Sequence, residues 1–225
     1  MDHHFQIFLH IVLFAVWFGS TIAVLVMLSR FWGGALATPM QAVQPRALKS
    51  LMYIVRIPKT AFILMLPMGL QLAGNLELIT LASGTTYGAW AFALVWLAID
   101  WKAAPSGQGD ISKAMRVLER VLQATFVLVL GGAGTLSLLS GNPVESAWLA
   151  TKMMIYAGTL IVMALFDLSL VQAHAAIGGE PGGTPDPDGA GAAQKGALNR
   201  AFVLLVLLLI MLLWAAWTGY NSWRV

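Results

Sequence analysis

Long apolar runs, each of the length needed to cross a lipid bilayer, limit what this chain can fold into. A span needs about 20 mainly apolar residues, because the hydrocarbon layer is roughly 30 Å thick and a helix rises about 1.5 Å per residue. The stretches that qualify are Phe5–Ser29, Pro58–Leu81, Tyr87–Lys102, Val117–Leu139, Trp148–Ala175 and Asn199–Tyr220, the third being the shortest. Backbone in lipid must satisfy its own hydrogen bonds, and uninterrupted apolar runs do so as helices. The expectation is therefore an all-α fold, a polytopic transmembrane helical bundle of about six spans forming one integral membrane domain.

Composition excludes most other classes. Of 225 residues, 59% are hydrophobic and only 10% charged, against about 25% charged in a soluble domain. A soluble globular enzyme is ruled out. The chain has no cysteine, which removes disulfides, thiolate zinc sites, cysteine-ligated iron–sulfur clusters and covalently attached c-type haem. The net charge of +3 is small, and nothing resembles a nucleic-acid footprint. The expected surroundings are a lipid bilayer and no nucleic acid.

Where the 13 Lys and Arg residues sit matters more than their sum. With the N-terminus outside and six helices threaded, all but Lys152 and Arg224 fall on the inner side. That asymmetry follows the positive-inside rule. It predicts both termini outside, in a multi-pass protein of the bacterial inner membrane. Ala35-Leu36-Ala37 looks like a signal-peptide cleavage site, but the chain opens with Asp2-His3-His4 rather than basic residues, and Arg30 intervenes. The first run reads as a retained span. Gly178–Gly196 is Gly/Pro-rich without apolar periodicity and reads as a flexible cytoplasmic loop. Tyr87, Trp90, Trp148, Trp214, Trp217, Tyr220 and Trp223 gather near the expected outer face, and Trp32 and Trp101 near the inner one, as an interfacial belt.

A weak internal repeat relates the second and third spans to the fourth and fifth. Arg56 precedes Phe62 as Arg120 precedes Phe126; Gly69 matches Gly131, Gly132 and Gly134; Asp100 matches Asp167. Duplicated helix pairs often flank a central site, and the glycines also suit close helix approach.

Polar side chains inside a span are costly and mark function by default. His10 lies just inside the outer end of the first span, with Phe14, Trp17 and Thr21 following at helical spacing. Lys152, Met153 and Met154 lie one turn inside the outer end of the fifth span, and Asp167 and His174 near its inner end. The two spans run the same way, so His10 and His174 are too far apart in depth to clamp one haem. His10 and Lys152 share a depth. One haem there takes His10 as axial ligand with Met154 or an open position opposite, Lys152 beside a propionate, and Trp17 and Phe14 as walls. Alternatively, His10 hydrogen-bonds across helices and Lys152 snorkels to the interface. A third reading holds copper at the outer face with His3, His4, His10 and Met153 or Met154 as soft ligands. Asp100 and Asp167 read as interhelical salt bridges or interfacial groups, with a proton route through Asp167 and His174 as the functional alternative. Pro67 is expected to kink the second span.

Leu9-His10, Trp17-Phe18-Gly19 and Arg30 resemble the first helix of the membrane-bound protoporphyrinogen oxidase family. Arg56-Ile57-Pro58 leading to Gly69 resembles its second helix, and Trp148-Leu149-Ala150-Thr151-Lys152 the Trp-Leu-x-x-Lys opening of a later one. The second half is also similar to the copper-resistance protein D domain: Arg120 to Gly131 and Gly132, then Lys152, then a closing helix after Asn199-Arg200. The oxidase family has four helices, and Ser29 stands where its Leu-Pro-Arg has proline. The resemblance implies a haem b site with His10 as metal ligand and Lys152 nearby. The function expected is that of a haem b-binding redox protein, passing electrons between quinone and a periplasmic redox protein or oxidising a porphyrin-like substrate. Copper handling of the resistance-D type and a non-catalytic anchor subunit are the alternatives. Homo-oligomer and subunit of a larger membrane complex both stay open.

Overall fold

A computed structural model of the chain describes residues 3–37, 45–103, 110–178 and 187–221. These form α1 (His3–Ala37), α2 (Pro45–Ile54), α3 (Arg56–Asn75), α4 (Thr85–Lys102), α5 (Asp110–Ser140), α6 (Ala147–Gly178) and α7 (Pro187–Asn221). There is no strand among the described residues, and the fold is an all-α bundle. Five helical stretches are long and apolar enough to cross a membrane: His4–Ser29, Ala47–Asn75, Lys113–Ser140, Ala147–Ala176 and Gly191–Tyr220. The protein is a multi-pass helical membrane protein. α4, at 18 residues with three tryptophans, Asp100 and Lys102, is less apolar than these five and packs beside α3 and α5.

The long helices close into a ring in the order α1, α3, α4, α5, α6, α7, with α7 returning against α1. Successive helices are antiparallel and six is an even number, so the closing contact is antiparallel as well. Burial ranks the members: 67% of the span through α2 and α3 is buried, against 22% for α1 and for α7 and 17% for α5. α3 is thus the most buried helix and α6, at 50%, the next, while α1, α5 and α7 turn wide apolar faces outward, as contact with lipid requires. Polar bonds between helices pin both ends. At the N-terminal end Asn75 donates to Gln6 and Trp90 to Gln71; at the opposite, basic end Arg200 donates to Gln172.

Boundaries depart from the sequence reading where a local cause exists. α2 leads into α3 through Val55, whose φ/ψ of −56° and −21° stay helical. Pro58 is the cause of the break, since it has no N–H for the Ile54 carbonyl and its ring crowds that oxygen. The second span was expected to reach Leu81, but the helix stops at Asn75 and Glu77 takes a positive φ of 58°. The following chain folds back, and a Cβ on Gly74 would lie 2.5 Å from Leu81 Cδ1. Leu76 and Leu78 are left as loop residues, a placement that matters below. α7 begins at Pro187, inside the stretch expected to be a loop; residues 179–186 lie outside the described residues, as do Trp223, Arg224 and the side chains of Trp32, Arg30 and His3. Proline is favourable at the first position of a helix, where its missing N–H is not needed.

The glycines of α5 act through packing. A Cβ on Gly134 would lie 3.0 Å from the Ala150 carbonyl oxygen, while one on Gly132 would meet nothing within 4 Å. Gly134→Val should push α5 off α6 and cost about 1–3 kcal/mol. The thermal midpoint in detergent should drop for Gly134→Val and stay unchanged for Gly132→Val.

Candidate functional site

Among the described residues, a cavity lies towards each end of the bundle. The larger, about 1010 Å³, lies towards the N-terminal end between α1, α3, α6 and α7. Helical spacing brings His10, Phe14 and Trp17 of α1 onto its wall, and Lys152, Tyr156 and Thr159 of α6 onto the facing wall. Leu76 and Leu78, freed from the helix by the early end of α3, complete its rim. Four of the residues singled out in the sequence, His10, Phe14, Trp17 and Lys152, therefore line one chamber.

His10 packs over α3 where Gly69 offers no side chain; a Cβ there would be 3.8 Å from His10 Cε1. Its Nδ1 is buried without a hydrogen-bond partner, so the protein does not fix the tautomer of the ring. Lys152 Nζ lies 4.6 Å from the centroid of the Trp148 ring, within cation–π range. Trp148 is fixed by its indole N–H donating to the Thr218 carbonyl at 2.8 Å. A Cβ on Gly219 would come within 3.1 Å of Lys152 Nζ, so the bare glycine makes room for the ammonium. Trp148 thus lines the cavity, as does the half-exposed Tyr220, whereas Tyr87, Trp214 and Trp217 are exposed as a belt requires. The floor is aromatic. Trp17 meets Phe62 edge-on at 5.1 Å, Phe62 stacks on Tyr156 at 4.2 Å, and the Tyr156 hydroxyl donates to the Phe62 carbonyl at 2.9 Å.

Met154 is not at this cavity. It is half exposed on the α5 side of α6, its sulfur accepting from the Thr135 hydroxyl at 3.2 Å. The cause is rotation: two residues along a helix turn the side chain about 200° away from Lys152. The thioether lining the cavity belongs to Met65 of α3, which an unaligned apolar run gave no reason to pick. Of the copper set His3, His4, His10 and Met153 or Met154, His4 is exposed on α1, neither methionine lines the cavity that His10 lines, and the side chain of His3 lies outside the described residues. Among the described residues no group of three or more His, Cys, Asp or Glu side chains is placed to hold a metal ion.

The second cavity, about 290 Å³, lies towards the basic end against α3, α4, α5 and α6. It was not anticipated. Arg56 and Lys59, expected to sit in or beside an inner loop, are both buried in the first turn of α3. Lys59 Nζ pairs with Asp100 Oδ1 at 2.8 Å, with Asp167 Oδ2 at 2.7 Å and with Glu119 Oε1. Arg56 pairs with Asp100 Oδ2 at 3.2 Å. The three donors of one ammonium meet three carboxylates from three helices. Asp100 and Asp167 are the acids of the internal repeat, and they converge on one lysine. The repeat's phenylalanines also pack in a crossed way: Phe62 of α3 on Tyr156 of α6, Phe126 of α5 on Phe92 and Trp96 of α4. His174 lines neither cavity, and its Nδ1 is buried without a partner. The signal for this cluster was in the sequence, as Lys59 and Glu119 are charges within apolar runs, but Coulomb pairing across helices needs the fold to be seen.

Comparison of the chain with protein-family models, with curated proteins and with solved structures returns no match.

Proposed function

We propose that this chain is a haem b-binding membrane redox protein, with the larger cavity and both termini on the outer side of a bacterial inner membrane. The observation that carries the reading is that His10, Phe14, Trp17 and Lys152 line one cavity. The residues present suit the group. The chamber is largely apolar and, at about 1010 Å³, stands at the upper end of the roughly 300–1,000 Å³ usual for ligand pockets. It offers one imidazole without a protein hydrogen bond on Nδ1 and one ammonium. A neutral imidazole would be a suitable haem ligand, and the thioether of Met65 lines the same cavity. When bound, haem supplies one-electron chemistry with quinone or an outer-face redox protein, or oxidation of a porphyrin-like substrate.

The chain's own contributions follow from placement. His10 would hold the iron. Lys152, steadied over Trp148, pairs with a propionate. Phe14, Trp17 and Tyr156 exclude water, which strengthens that charge pairing. The purified protein should show a Soret band and about one haem b per chain by pyridine haemochrome; a colourless preparation from cells with ample haem overturns the reading.

Lys152→Met should weaken haem binding by about tenfold or more, the worth of a hydrogen bond to a charged group. Titration with haem dimethyl ester, which has no propionate charge, should show no such difference between wild type and variant. Equal losses for both ligands would remove Lys152 from the propionate role.

A further inference from the structure

The deep part of the larger cavity holds polar groups that the fold leaves unused. Trp17 and Thr159 line it and are 4% and 1% exposed, yet neither Trp17 Nε1 nor Thr159 Oγ1 has a hydrogen-bond partner. Other side chains of the same types are satisfied. Thr21, Thr125, Thr135 and Thr151 each donate to the carbonyl four residues back, the usual bond of a helical threonine. The indoles of Trp90, Trp101 and Trp148 all donate, and Trp96, which shares the lack, lines neither cavity. A buried donor without an acceptor is costly, so an acceptor brought in by a ligand is favoured at Trp17 and Thr159. Trp17 follows His10, and Thr159 follows Lys152, by two helical turns. The pair therefore lies about 10 Å below the level of His10 and Lys152, and about 20 Å from the N-terminal end of α1. Lys152 is the one charged side chain among the described lining residues, so the deeper level is neutral.

This cavity also opens sideways. α1 buries Trp17, Thr21, Val24 and Leu28, and α7 buries Leu205, Leu208 and Leu212. Beyond them none of residues 213–220 is buried, and on α1 between His4 and Trp17 only Gln6 is. The two helices lose their buried stripes where the cavity begins. There Ile11, Ala216 and the half-exposed Tyr220 line it while reaching the outside of the bundle. All three belong to apolar spans, so the opening gives onto lipid.

We propose that the deep end of this cavity binds a membrane quinone. Trp17 Nε1 and Thr159 Oγ1 donate to its carbonyl oxygens, the ring lies beside Trp17 and Tyr156, and the apolar tail leaves between α1 and α7. Neutral donors suit a neutral carbonyl, whereas a carboxylate at this level would be buried without a cation. A phospholipid ester is anchored at headgroup level and does not reach this far into a hydrocarbon layer about 30 Å thick. The proposal rests on the redox reading above for what the quinone does there; its binding needs no haem.

Infrared difference spectroscopy on the purified full-length chain in lipid tests this, with decylubiquinone labelled with 13C at its ring carbonyls as the probe. Wild type should give a saturable carbonyl band at lower frequency than the same quinone shows in protein-free lipid, as hydrogen bonding requires. Thr159→Val should weaken binding about fivefold, the worth of one neutral hydrogen bond, and move the band back towards its position in lipid. Trp17→Phe, which keeps an aromatic ring, should do the same. No saturable shifted band in wild type, or a band and affinity unchanged in both variants, overturns the proposal. A Soret band without a shifted carbonyl overturns the quinone site alone. A shifted carbonyl in colourless protein supports the quinone site and ends the haem reading.

Discussion

His10→Ala is expected to leave the purified protein without a Soret band. Mutation of groups that merely orient a metal ligand costs about 10–100-fold in affinity, so loss of the ligand itself should exceed about 100-fold. Retention of the protein fold is the necessary companion result. His10 is only partly buried and makes no stabilising hydrogen bond through Nδ1, so alanine removes little packing and yields the same monodisperse protein. Addition of imidazole should restore part of the absorbance, since the space vacated against Gly69 admits a free ring. A His10→Ala protein with an undiminished Soret band would place the iron elsewhere and end the haem assignment to this cavity. Met154→Leu serves as the contrasting substitution. Its sulfur faces Thr135 and α5, and its spectrum should match wild type.

Lys59→Met is expected to be the most destabilising single substitution in the chain. It keeps the aliphatic stem and deletes the ammonium that binds Asp100, Glu119 and Asp167. Removing one partner of a buried ion pair costs about 3–5 kcal/mol because the remaining charge is uncompensated, and here three carboxylates lose a partner at once. For a domain of this size that is a fall of roughly 10 °C or more in the thermal midpoint. Neutralising the orphans should reverse most of it: Lys59→Met/Glu119→Gln/Asp167→Asn retains the balanced Arg56–Asp100 pair. Single substitutions at contacting sites are not additive, so recovery in the triple variant is the informative result. A triple variant no more stable than Lys59→Met would mean that Lys59 acts through packing rather than charge.

The sequence made the helices and part of one site legible, for the same reason. Hydrophobic run length and 3.6-residue spacing are properties of one helix, so His10, Phe14 and Trp17 could be placed on one stripe of α1. Shared depth then put Lys152 opposite them. Azimuth was the missing coordinate. Met154 lies at the right depth but faces α5, while Met65, on an apolar helix with no polar face to orient it, turns into the cavity. Leu76 and Leu78 read as the end of a span because they are apolar, yet the helix ends at Asn75 and they form the rim of the chamber. Gly74 permits that fold-back by lacking a Cβ.

What the sequence determined by itself is the membrane-spanning all-α class, because lipid leaves the backbone no partner but its own helix and the apolar runs have the necessary length. Only the tertiary structure decided that the ring closes α7 on α1, that α3 is the buried member, and that Lys59 gathers Asp100, Glu119 and Asp167 from three other helices. The physical reason is that helix pairing depends on the shape of small residues and on charges meeting across long stretches of chain, as Lys59 and Asp167 do across 108 residues. One-dimensional hydropathy records neither.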